Sequence, residues 1–103
     1  MVLVHVRSRQ EFIKHKSLGV NVMFTGENCP LCIQVKPYFE QMSRQNHGNF
    51  MIVDRIRLGL TDADIGFSIQ VVPTFVKYKN NQVACMPFSG FDLNRLQQMI
   101  TQN

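Results

Sequence analysis

The stretch that most limits the fold is an apolar hexapeptide, VNVMFT at 20–25, which runs through GENCPLC into a long helical pattern. A mostly apolar run of that length suits a central strand covered on both faces. The pattern after it, IQVKPYFEQMSRQN at 33–46, can bury Ile33, Val35, Tyr38, Phe39 and Met42, and Pro37 inside it should kink the helix. Cys29 and Cys32 stand where the strand gives way to the helix.

The flanking segments repeat the alternation. VLVHV at 2–6 is short, β-branched and alternating, and predicts a first strand. Ser8 and Glu11 form a capping-box pattern, which starts a helix over about 9–16 with Phe12 and Ile13 as its apolar stripe. FMIVD at 50–54 predicts a third strand, RIRLGL an irregular stretch, and TDADIGFSI a helical turn or two. VVPTFVKYK at 71–79 holds a strand that starts at the proline. Asn80-Asn81 suits a two-residue hairpin turn, since Asn tolerates positive φ, and QVACMPF at 82–88 is the partner strand. A closing helix follows in FDLNRLQQMI, with Asp92 as N-cap and Leu93, Leu96 and Ile100 on one face. Three strands alternating with helices, then a hairpin, give an α/β fold: a central mixed five-stranded sheet with helices on both faces. The length, 103 residues, suits a single domain over 1–103.

Charge and composition exclude several functions. The formal charge is +4, but the basic residues are scattered and not interleaved with aromatics, which argues against nucleic acid and for a solvated surface that favours acidic partners. No apolar run approaches the roughly 18 residues of a membrane span, so no membrane role is expected. The first residues turn charged by Arg7, too soon for a secretory signal, and the expected location is cytoplasmic.

Pro30 would be the first helical residue, where a missing N–H costs nothing. Cys29 would then sit at the positive end of the helix dipole, which favours a thiolate, and Cys32 lies one turn on. That geometry suits dithiol–disulfide exchange, in which Cys29 attacks and Cys32 resolves the mixed disulfide, with no metal and no bound cofactor. Zinc would need a second ligand pair, and Cys85, His5, His15 and His47 are not spaced to supply one. No base is evident for a cysteine protease. In VVPTF, an edge-strand trans proline is the commoner arrangement. A cis Val72–Pro73 bond would instead leave backbone groups free for an extended peptide, and the residues alone leave both open.

The order of these motifs resembles the thioredoxin family, of eukaryotic type, over nearly the whole chain. The residues that carry it are the second strand running into CPLC, KPYFE, VD of the third strand, VPTF, the KNNQV hairpin, and FSG before the last helix. The resemblance implies a thioredoxin fold and a protein disulfide oxidoreductase with Cys29 as nucleophile and Cys32 as resolving thiol. It further implies a cis Pro73 against the disulfide and Val72 pairing with substrate, with Asn28, Pro30 and Leu31 beside them. Implied partners are protein disulfide substrates and a reductase, with electrons from NADPH through thioredoxin reductase or from glutathione.

The chain departs from that family at two positions. Asn28 stands where the family has Trp, and Met23 where it keeps a buried aspartate six residues before the first cysteine. The Cys-Pro-x-Cys order is more similar to glutaredoxin, and SGFD at 89–92 loosely resembles a glutathione-binding turn. A glutathione-dependent reductase is therefore one alternative, and a redox-weak binding module on the same fold is another. Cys85 reads as a half-buried small hydrophobe. A monomer is expected, with a regulatory thiol or a dimer through Cys85 as the alternative.

Overall fold

The computed structural model describes residues 2–102. Strands β1 (Val2–His5), β2 (Val20–Thr25), β3 (Asn49–Asp54) and β4 (Thr74–Lys79) form a sheet ordered β1-β3-β2-β4, and the return strand pairs with the free edge of β4. β3 runs parallel to β1 and β2, while β4 is antiparallel to β2. The helices are α1 (Arg9–Leu18), α2 (Pro30–Gln45), α3 (Arg55–Leu58), α4 (Asp62–Ile65) and α5 (Leu93–Thr101).

Strand alternation sorts the apolar side chains into two cores, because successive side chains point to opposite faces. Val20, Val22 and Phe24 of β2 pack with Phe12 of α1, Ile65 of α4, and Val76 and Tyr78 of β4. Met23 points the other way, into a core with Val35 and Phe39 of α2, Phe75 of β4, and Leu96 and Ile100 of α5. Helices thus cover both faces of β2, as its nearly continuous apolar run requires. On the first face the Tyr78 hydroxyl donates to the Ile65 carbonyl at 2.5 Å, and burial pushes its phenol above the usual pKa range.

Local chemistry sets the element ends. Ser8 Oγ accepts the Glu11 N–H at 3.1 Å and starts α1. A reciprocal capping box forms at α4, between Thr61 and Asp64. Asn80 and Asn81 both take positive φ, 54° and 66°, in the two-residue turn after β4. Asp92 caps α5 by accepting the Arg95 N–H at 3.1 Å.

Three local expectations need correction. RIRLGL is not irregular. Asp54 accepts the Arg57 N–H at 3.2 Å, and Gly59, left-handed at φ 66°, closes α3 with its own N–H. The partner strand over 82–88 is broken into β5 (Gln82–Val83) and β6 (Phe88–Ser89), both paired with β4. The sheet therefore has five rows, the last interrupted, with Pro87 offering no ladder donor at the break. On α2, Ile33 is 74% exposed and Tyr38 43% exposed, so only part of the expected stripe is buried. Tyr38 instead meets Phe91 edge-on, ring centroids 5.4 Å apart.

Candidate active site

Cys29 is the N-cap of α2 and Pro30 is its first residue. The backbone before Pro30 is extended, as proline demands of its predecessor. The Cys32 N–H donates to Cys29 Sγ at 3.1 Å, one of the free donors of the helix's first turn. Cys29 and Cys32 are joined as a disulfide, with Cα atoms 5.2 Å apart. The two sulfurs are not equivalent. Cys29 is half-buried, whereas Cys32 is only 3% exposed and packs in the core with Met23, Val35 and Phe39.

The loop before β4 forms the wall beside the disulfide. The Val72–Pro73 peptide is cis, Pro73 is buried, and the Val72 carbonyl oxygen lies 3.6 Å from Cys29 Sγ. The Val72 N–H makes no hydrogen bond among the described residues. Three contacts fix this loop. Thr74 Oγ1 bonds the Val71 carbonyl at 2.6 Å and the Ser89 hydroxyl at 2.9 Å. Gly90 donates its N–H to the Pro73 carbonyl at 3.1 Å. Thr74, Ser89 and Gly90 were not among the expected site residues, although VPTF and FSG contain them. Their role depends on the β4–β6 pairing, which no local pattern reveals.

The remaining expected residues surround this centre. Asn28 is exposed at φ 53°, a left-handed conformation that Asn tolerates better than a bulky residue. Pro30 is exposed and Leu31 is 36% exposed. Met23 is fully buried in the same core as Cys32, so an apolar thioether shares the core that encloses the inner sulfur. Cys85 is half-buried, carries a free thiol, and packs at the margin of that core. Among the described residues, no three His, Cys, Asp or Glu side chains gather as a metal site, and no helix is long and apolar enough to cross a membrane.

Solved structures similar to this chain are thioredoxins. The thioredoxin pre-protein of Schistosoma mansoni matches at a TM-score of 0.81 and 24% identity, covering 99% of this chain and 98% of that one. The thioredoxin of Plasmodium falciparum matches at 0.80 and 28% identity, covering 93% and 94%. That of Malassezia sympodialis matches at 0.79 and 27% identity, covering 98% and 91%. No family model and no curated protein matches the sequence. The chain has the thioredoxin fold. The likeness, with the Cys29–Cys32 pair, supports a thiol–disulfide oxidoreductase at the level of the family.

Proposed function

We propose that this protein is a protein-disulfide oxidoreductase in which Cys29 is the nucleophile and Cys32 the resolving thiol. The observation that carries this reading is the asymmetry of the pair: Cys29 half-buried at the mouth of a 16-residue helix, Cys32 sealed at 3% exposure. In the reduced protein, the Cys32 N–H and the helix dipole favour a thiolate on Cys29. That thiolate attacks one sulfur of the substrate disulfide. The substrate S–S bond breaks, its other sulfur leaves as a thiolate and takes a proton from water, and a mixed disulfide forms. Cys32 then loses its proton and attacks Cys29 Sγ. The substrate leaves with both sulfurs reduced, and Cys29–Cys32 carries the two-electron oxidation.

The Val72 N–H, without a hydrogen bond among the described residues, and its carbonyl beside Cys29 offer an extended substrate backbone a donor and an acceptor. Electrons return to the dithiol from NADPH through thioredoxin reductase, or from glutathione. Pro30 directly after Cys29 favours the second donor, whereas the strand and hairpin layout favours the first. The proposed setting is the cytoplasm, where a free thiol such as Cys85 and a reducible pair are at home.

The test is NADPH consumption with insulin as substrate, measured with thioredoxin reductase in one series and with glutathione and its reductase in another. Turnover in one series identifies the electron donor. No insulin reduction in either, with the dithiol fully reduced beforehand, overturns the oxidoreductase reading in favour of a binding module.

A further inference from the structure

The carboxyl ends of β1, β2 and β3 lie at the same edge of the sheet as the disulfide, the edge where open α/β sheets take their ligands. Two cavities meet there. One, of about 390 Å³, runs from Val72, the residue beside Cys29, past Gly26 and Glu27 to Asp54, Arg55 and Arg57. The other, of about 450 Å³, continues from Thr25, Asp54 and Arg57 to Arg7 and Lys36. Thr25, Asp54 and Arg57 line both, so the two form one cleft that starts at Val72, whose carbonyl oxygen lies 3.6 Å from Cys29 Sγ.

The cleft is unevenly charged. Arg7, Lys36, Arg55 and Arg57 line it against only Glu27 and Asp54. None of the four cations is in an ion pair, since the pair among the described residues joins Arg9 to Asp64 elsewhere. Asp54 already accepts the Arg57 N–H as the cap of α3, which occupies part of its carboxylate. Arg55 reaches the Ile69 carbonyl only at 3.5 Å. Arg7 and Arg57 are exposed, Lys36 and Arg55 half-buried. The residues come from β1's end, α2 and α3, so three separate segments converge on a face with an excess of positive charge.

We infer that this cleft docks an acidic segment of the protein whose disulfide is exchanged, so that the natural substrates carry Asp and Glu near the reacting cysteine. The inference rests on the exchange reading above and adds its substrate class. Walls of low dielectric concentrate the field of the four cations, which raises the encounter rate with an anionic segment. The cleft leads from Val72, so a chain held there reaches Cys29 with its disulfide without crossing the protein.

The test uses the pre-reduced protein in single turnover, without any reductase. Three disulfide-bearing peptides of equal length are compared, flanked by Glu and Asp, by Ser, or by Lys. At low ionic strength the acidic peptide should react on the order of tenfold faster than the Ser peptide, and the Lys peptide slower than both. The advantage should shrink as salt rises, because the cleft is open to solvent. Changing Lys36→Glu with Arg57→Glu should invert the order of the three peptides. Lys14→Glu with Arg44→Glu makes the same change in net charge away from the cleft and should leave the order intact.

Equal rates for the acidic and Ser peptides overturn the inference, as does an order inverted equally by both double variants. Hydroxyethyl disulfide, small and neutral, reports exchange itself, and failure to reduce it condemns the exchange reading instead. Docking is then read from fluorescence anisotropy of a cysteine-free acidic peptide. Binding weakened only by the Lys36 and Arg57 changes supports the cleft, and no binding overturns it.

Discussion

On one face of the sheet, Phe12, Phe24 and Tyr78 close a core around Ile65 and Val76. On the other, Phe39, Phe75 and Met99 close a core of similar size that also contains Cys32. The same strands feed both, β2 contributing Val22 and Phe24 to the first and Met23 to the second. The first is tied by polar contacts at its margin: Tyr78 to the Ile65 carbonyl, and Arg9 to Asp64 at 2.7 Å and 3.1 Å. The second ends in a sulfur pair that breaks and reforms in the proposed exchange. The inner sulfur is shielded from solvent by a packed core, while the outer one sits half-buried at the helix mouth, where the proposed exchange would bring substrate. One face therefore holds the fold, and the other would couple it to the proposed exchange.

Changing the cysteines gives the sharpest contrast. Cys29→Ser should abolish exchange, whereas Cys32→Ser should still attack but stall, trapping the substrate as a stable mixed disulfide. Mass spectrometry after incubation with an oxidised peptide reads both. Adducts on the Cys29→Ser protein and none on Cys32→Ser would exchange the two roles. Neither change alters the Phe12 face.

Phe12→Ala addresses the opposite face. Phe12 is fully buried and meets both Phe24 and Tyr78, with ring centroids 6.1 Å and 6.0 Å apart. Its truncation should cost about 3–5 kcal/mol, a large part of the roughly 5–15 kcal/mol that holds a domain of this kind. Urea unfolding measures that loss. Where the variant is still folded, its single-turnover rate at Cys29 should equal that of the natural protein. A rate that falls along with stability would mean the two faces are not separable.

Met23→Asp tests whether the chemical face is limited by what surrounds Cys32. Met23 is fully buried in the same core. By resemblance to thioredoxins, an acid there takes the proton from the resolving thiol. The variant should resolve its mixed disulfide faster, yet lose about 1–3 kcal/mol through burial of a polar group. Quenched-flow measurement of mixed-disulfide decay, alongside urea unfolding, separates the two effects. Slower or unchanged decay would show that deprotonation of Cys32 does not limit turnover.

The second face was the more legible in the sequence. Its key junction is local: an apolar strand, then Cys29, then Pro30 at a position that only a helix start favours, and the structure begins α2 there. The Asn80-Asn81 turn and the Asp92 cap are equally local. Less legible were features set by tertiary packing. Ile33 fits a helical stripe but lies outside the covered sector of α2. The break between β5 and β6 follows from how the chain returns along β4, with Pro87 its visible sign. The basic cleft joins Arg7, Lys36 and Arg57, which no run of like charge announces. α3 was readable in retrospect from Asp54, three residues before Arg57, and Gly59.

The smallest expected effect lies at the margin of the first face and depends on pH. Asp64 is 9% exposed and receives both Arg9 Nη2 at 2.7 Å and Nε at 3.1 Å, besides the Thr61 N–H at 3.1 Å. The Arg9 guanidinium first, and the Thr61 N–H next, hold its carboxyl well below the usual carboxylate range. Its folded pKa is therefore lower than in the unfolded chain, where an aspartate titrates near about 3.9. The stability this contributes is in full effect above that value and is lost as the pH falls below it towards the folded pKa. Arg9 is 56% exposed, so solvent and salt screen the pair and its contribution is modest. Asp64→Asn should lower the urea midpoint slightly at pH 7. The gap between variant and natural protein should narrow on acidification below about pH 4, and also in high salt at neutral pH. A gap that stays constant with pH would assign the loss to the capping-box geometry at Thr61, which an amide oxygen can only partly keep, rather than to the charge.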